Sequence, residues 1–211
     1  EVTPVVWMTP KEWFGQVDGS DPLVAAGRVM PFARIRIVDD ENNDLPPGEV
    51  GELVLQSDGM IHEYWNAPEL TAKKFFDGWM RTGDVGRIDQ NGYLYLSDRK
   101  DDMIISGGFN VGPAELELVI GDLPEVRECV VVRAPHERFG ETPVAVVVLH
   151  DGMTLDPQVV IDTCLNRLGK LKRPTAVYFR DEPFPRTPVG KIRRSDVRDQ
   201  FWANGSSMGA S

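Results

Sequence analysis

Three short stretches gather residue types that handle phosphates and sugars. Arg81-Thr82-Gly83-Asp84 sets a carboxylate beside a glycine turn. Ser97-Asp98-Arg99-Lys100-Asp101-Asp102 is a dense charge cluster that runs into an apolar strand, Met103-Ile104-Ile105, and a glycine loop, Ser106-Gly107-Gly108. Far downstream, Pro185-Arg186-Thr187-Pro188-Val189-Gly190-Lys191-Ile192-Arg193-Arg194 stiffens a loop with prolines and glycine and leaves a lysine at its tip. A carboxylate accepts hydrogen bonds from ribose hydroxyls, and a guanidinium reaches ribose or phosphate oxygens. Adjacent glycines let a backbone approach a ligand and turn N–H groups toward it. A lysine is a compact charge on a flexible stem that extends into a neighbouring site. The same residues also fit a surface salt bridge, an ordinary turn and a solvated lysine. Residue types alone leave both readings open.

The elements that would position these groups fall into two patterns. Val85–Asp89 and Tyr93–Ser97 alternate around Gln90-Asn91-Gly92, a hairpin signal that brings Asp84 and Arg99 near the two open ends. Upstream, Ala33–Asp39 and Val50–Gln56 read as strands around a turn-rich loop, Asp40–Gly48. Pro68–Phe76 reads as a short helix capped by Asn66, and Trp79-Met80-Arg81 returns to strand. Glu1–Leu23 shows little periodicity. Short strands between turns predict a small, distorted β-barrel over residues 1–100.

Past the charge cluster the pattern changes. Pro113 opens a helix that Gly121 ends, and Asp156-Pro157 opens a second that runs to Gly169. Val126–Arg133 and Pro143–His150 are apolar strands around a loop, Ala134–Glu141; Ala176–Arg180 is another strand, and Ser195 caps a last helix, Asp196–Trp202. Leu96 shares a strand with Arg99, where it would either face a ligand or fill the barrel core. The fold class is therefore α+β: a distorted β-barrel subdomain followed by a small α+β domain over residues 101–202, with a Gly/Ser-rich disordered tail at 203–211.

Composition bounds the function. The 211-residue chain easily buries a core, and 41% hydrophobic with 27% charged residues is ordinary for a globular protein. A net charge of −10 argues against a general nucleic-acid binder, although Arg167–Arg198 is locally basic. Cys129 and Cys164 lie in apolar runs without framework spacing and read as reduced core residues. His62, His136 and His150 are scattered without metal-ligand spacing. No run approaches a transmembrane span and no signal peptide opens the chain, which predicts a cytoplasmic location.

Four motifs in register, GELVLQSDGMIHEYWNAPELT (Gly51–Thr71), RTGD, SDRKDDMIISGG and PRTPVGKIRR, resemble the adenylate-forming superfamily, which includes acyl-CoA synthetases, luciferases and peptide-synthetase adenylation domains. The likeness runs from about Gly27 to Arg198. It implies that Asp84 and Arg99 bind the ATP ribose, with the arginine close to phosphate, and that Leu96 packs on adenine. It implies that Ser106, Gly107 and Gly108 line the pantetheine channel of CoA, and that Asp101 is the hinge of a mobile C-terminal domain. Lys191 would contact the substrate carboxylate and α-phosphate during adenylation, then leave as that domain rotates.

Glu1 would be the last residue of a motif that supplies a magnesium ligand. ATP, magnesium and CoA are thus the expected cofactors and co-substrates. The phosphate-binding loop and acyl pocket of the family have no counterpart here, so the chain reads as the C-terminal fragment of an acyl-CoA synthetase for a fatty or other hydrophobic acid, inactive without its missing N-terminal portion. Ile105-Ser106-Gly107-Gly108-Phe109-Asn110 favours CoA ligases over peptide-synthetase modules. A non-catalytic interaction module is the alternative of a different class.

Overall fold

The computed structural model describes Val2 and residues 4–203; Glu1, Thr3 and residues 204–211 are outside the description, and the expected disordered tail falls there except for Ala203. The chain forms two compact units, Glu1–Asp101 and Asp102–Ser211.

In the first unit β1 (Val6–Trp7), α1 (Pro10–Trp13), β2 (Gly27–Val29), β3 (Ala33–Val38), β4 (Gly51–Ser57), α2 (Pro68–Lys74), β5 (Phe75–Phe76), β6 (Trp79–Ile88) and β7 (Tyr93–Arg99) follow in order. The strands make one sheet, β1-β2-β7-β6-β4-β3, with β5 added to β6. It curls as a half-barrel, with β1 and β3 as end strands unpaired to each other among the described residues. Alternation along β7 explains its two faces. Leu94 joins Ala33, Ile37, Leu53, Leu55 and Met80 in one core, while Tyr93 and Tyr95 pack with Ala25 in another.

The hairpin turn is organised by Asp89, a buried carboxylate that accepts from the Ser20 hydroxyl (2.6 Å), the Tyr95 hydroxyl (2.9 Å) and the backbone N–H groups of Asn91 and Tyr93 (2.9 Å each). Burial works against its charge, but these donors outweigh it and hold the carboxyl below its usual range.

Two local expectations for this unit are corrected. Asn66 does not cap α2; it takes a left-handed φ of 52°, and Ala67 stands at the N-cap without a side-chain bond. The helix stops at Lys74, because Phe75 and Phe76 pair with Met80 and Trp79 as β5, a pleated setting that aromatic residues favour. In the stretch without periodicity, Thr9 and Glu12 form a capping box that starts α1.

The second unit contains β8 (Ile104–Ser106), β9 (Phe109–Val111), α3 (Pro113–Gly121), β10 (Val126–His136), β11 (Gly140–Leu149), α4 (Pro157–Leu168), β12 (Ala176–Phe179) and α5 (Arg194–Ala203). The sheet order is β10-β11-β8-β9, with β12 running parallel to β11. The valine runs are explained by burial on both faces. Val131, Ala145 and Val147 join Leu116, Ile120, Val160 and Cys164 from α3 and α4; Val130, Val132, Val144 and Val146 join Phe184 and Val197, the latter on α5. Burial pushes the Cys129 thiol up to about 12 and Cys164 to about 11, as befits unreactive interior thiols.

Here the loop expected at Ala134–Glu141 shrinks to Glu137-Arg138-Phe139. Pro135 is tolerated inside β10 because, among the described residues, that strand pairs on one side only. Ser195 does not cap the last helix; it lies within α5 and its hydroxyl donates to Asp196.

Candidate functional site

The RTGD stretch lies in the middle of β6. Gly83 adopts φ 77°, and the ladder to β7 shifts register between Val85 and Gly86, so the strand bends there without ending. Asp84 stands opposite Arg99, and Asp84 Oδ1 lies 2.9 Å from Arg99 Nε. The Thr82 hydroxyl accepts from the Asp84 N–H at 3.0 Å, and Arg99 Nη1 donates to the Thr82 carbonyl at 3.3 Å. The arginine side chain is 60% exposed and the aspartate 28%, so the pair presents its free lone pairs and N–H groups to solvent. Leu96, three residues before Arg99, is 52% exposed; the barrel-core alternative for it is wrong. An apolar side chain left open to solvent offers a surface on which a flat ring can rest.

On β4, the strand that pairs with β6, lies a carboxylate that the motif reading passed over. Glu52 on β4 is buried and receives Arg81 at 2.7 Å and Lys100 at 2.9 Å; Lys100 also reaches Asp40 at 2.8 Å. Burial opposes the Lys100 charge, yet Asp40 and Glu52 raise its pKa on balance, and Lys100 in turn lowers that of Asp40. The backbone N–H of Lys100 donates to the Gly83 carbonyl at 2.8 Å. The residue before Asp101 is therefore tied to its own unit by main chain and side chain. An acid within the otherwise apolar run Glu52-Leu53-Val54-Leu55 was the available signal. Lys74 was also missed: its ammonium comes within 3.4 Å of where a Gly83 Cβ would stand.

In the second unit Gly107 (φ 58°) and Gly108 (φ 83°) form the turn between β8 and β9. The Gly107 N–H donates to the Phe139 carbonyl at 3.1 Å, and a Cβ on Gly107 would sit 3.1 Å from the Phe139 ring. Nothing lies within 4 Å of the equivalent point on Gly108, which leaves that backbone open to a ligand. Phe139 is in turn stacked on His136 at 4.7 Å.

Lys191 is exposed on the turn between β12 and α5, close to Gly190 (φ 85°). Among the described residues its ammonium makes no hydrogen bond or ion pair, while its backbone is fixed by Thr187. The expected magnesium ligand Glu1 lies outside the described residues, and no group of three or more His, Cys, Asp or Glu among those described is placed to hold a metal ion. No helix of the described residues is long and apolar enough to cross a membrane.

Comparison with known proteins places this chain in a family. The AMP-binding enzyme profile matches residues 1–65, and the profile of the AMP-binding enzyme C-terminal domain matches residues 115–191, ending on Lys191. The chain belongs to the AMP-binding, adenylate-forming family. Among AMP-binding relatives, the indoleacetate–CoA ligase of Aromatoleum aromaticum is 44% identical over 82% of this chain and 34% of its own length. A long-chain-fatty-acid–CoA ligase of Mycobacterium tuberculosis is 45% identical over 85% of this chain and 35% of its own. The structure of o-succinylbenzoate CoA synthetase from Bacillus subtilis, in complex with its acyl-adenylate intermediate, superposes with a TM-score of 0.83 at 32% identity, covering 93% of this chain and 39% of that one. The chain thus spans about a third of the length of the curated AMP-binding relatives it matches.

Proposed function

We propose that this chain is the C-terminal part of an AMP-forming acid–thiol ligase. A carboxylate oxygen attacks the α-phosphorus of ATP, pyrophosphate leaves, and the acyl-adenylate forms. The thiol of CoA, losing its proton, then attacks the acyl carbonyl and AMP leaves. The observation that carries the reading is the Asp84–Arg99 pair, two complementary charges held on neighbouring strands, with an exposed Leu96 on the same strand as the arginine. In this reading Asp84 accepts from the ribose hydroxyls, Arg99 donates to ribose and phosphate oxygens, and Leu96 supports the adenine.

Lys191 supplies positive charge where the α-phosphoryl oxygens gain negative charge, which lowers the barrier electrostatically. The Ser106-Gly107-Gly108 turn accompanies the pantetheine arm in the second step. Asp101 is the hinge: Lys100 before it is anchored to Glu52 and Asp40, so the torsional change is left to the residue that follows. Magnesium belongs to this chemistry in the family, but the described residues offer it no ligand set, and no step is assigned to it. The acid is of the hydrophobic class, fatty or aryl-alkyl, and the enzyme works in the cytoplasm; the named relatives support the first of these.

ATP–pyrophosphate exchange with a panel of carboxylic acids tests the reading, run on the full-length enzyme and on this chain alone. Exchange by the former and not the latter is the expected result. Lys191→Ala in the full-length enzyme should lower exchange by about 10²–10³, the usual loss of one well-placed donor. Exchange by the 211-residue chain alone, or no effect of Lys191→Ala, overturns the reading.

A further inference from the structure

The loop that carries Lys191 is internally tight. Arg186 and Ile192 form a β-bridge across it, the Thr187 N–H donates to the Lys191 carbonyl at 2.7 Å, and the Gly190 N–H donates to the Thr187 carbonyl at 2.9 Å. What remains is how this rigid loop is fixed to the rest of its unit, and each foot is held by an arginine. On the entering side, Arg186 donates to the Gly190 carbonyl inside the loop at 2.9 Å and to Glu128 on β10 at 2.6 Å. On the leaving side, Arg194 forks onto both carboxylate oxygens of Glu117 on α3 and donates to the Val131 carbonyl of β10 at 3.2 Å. Glu117 also accepts from the Val131 N–H at 2.7 Å, and Arg194 Nε stands 3.7 Å from Asp102, the first residue of the unit.

Both feet therefore land on β10, the long strand buried in the two cores. A guanidinium fork fixes direction as well as distance, whereas Lys191 swings on four methylenes. Its reach is reproducible only if its base is.

We propose that Arg186 and Arg194, through Glu128 and Glu117, are positioning residues for Lys191. They set where its ammonium arrives in adenylation and take no part in thioester formation. This deepens the reading above and rests on Lys191 acting in the first half-reaction.

The test uses the full-length enzyme carrying Arg186→Gln, Arg194→Gln, Glu128→Gln, the swapped pair Arg186→Glu with Glu128→Arg, and Lys191→Ala. ATP–pyrophosphate exchange reads adenylation, AMP release from preformed acyl-adenylate and CoA reads thioester formation, and thermal melting reads folding. Arg186→Gln and Arg194→Gln should each lower the turnover of exchange about tenfold to a hundredfold, as small misplacements of a reacting group do. The KM for ATP should hold, and thioester formation should stay within about twofold. The swapped pair should recover part of the loss, and in a Lys191→Ala background neither arginine substitution should lower exchange further, because the residues act as one unit.

Equal losses in both half-reactions, with a lowered melting temperature, would mean bracing of the fold alone and would overturn the proposal. So would unchanged exchange in Arg186→Gln and Glu128→Gln. Exchange at the native rate in Lys191→Ala would instead remove the reading on which the proposal stands.

Discussion

Asp84 and Arg99 neutralise one another at 2.9 Å on adjacent strands, whereas Lys191 stands on a turn with its ammonium bonded to nothing among the described residues. The first arrangement stores its charges as a pair. Because the arginine is mostly solvated, that pair is worth little on its own, about 0–1 kcal/mol. The second arrangement leaves the charge free and puts the order into the backbone and the arginine feet. In the proposed reaction, a group that binds throughout is placed by the sheet, and a group needed for one step only is placed on an exposed loop. The two regions should therefore respond differently to mutation: affinity and stability in one, turnover in the other.

The sharpest way to break that contrast is at Glu52, which underpins the RTGD strand. Glu52→Ala strands Arg81 and Lys100 and should cost about 2 kcal/mol, below the 3–5 of a fully buried pair because both cations can regain water. Chemical denaturation of the chain would measure it, and Lys191→Ala should change the same measurement by less than about 0.5 kcal/mol, as exposed substitutions do. Next in size, Arg99→Gln in the full-length enzyme should raise the KM for ATP about tenfold with turnover nearly kept, the mirror image of Lys191→Ala. A turnover loss at Arg99 as large as that at Lys191 would erase the distinction.

The smallest expected effect concerns pH. Asp89 titrates below its ordinary value of 3.8 when folded, so its stabilisation is complete above that value and is lost as pH falls through the folded pKa. The stability gap between the native chain and Asp89→Asn, followed by urea unfolding, should thus be full at neutral pH and narrow below 3.8.

Local chemistry was legible and remote pairing was not. Asn91-Gly92 between alternating runs announced its hairpin, and Asp156 announced a helix start, because both signals are complete within a few residues. Pro135 and Gly140 looked like loop residues for the same reason, yet Val126–His136 pairs with Gly140–Leu149 almost to its end. An unpaired flank, invisible in one dimension, is what lets a proline stay in a strand. Ser195 looked like a cap until Arg194, drawn to Glu117 far away in the chain, began the helix two residues sooner. At the site, the charged residues were recognisable through their motifs, but Glu52 and the two arginine feet work through partners on other elements, and spacing carries no trace of such partners.

The one-sided pairing of β10 has a further consequence. A long, valine-rich strand with a bare flank is a template onto which another polypeptide can add, the usual route to edge-to-edge aggregation. Here side chains occupy the place of a neighbouring strand: Glu117 takes the Val131 N–H, Arg194 covers the Val131 carbonyl, and the Trp202 indole N–H donates to the Arg133 carbonyl at 3.2 Å. The arginine that braces the lysine arm is thus also a gatekeeper against self-association, and its loss would be felt in solubility as well as in rate.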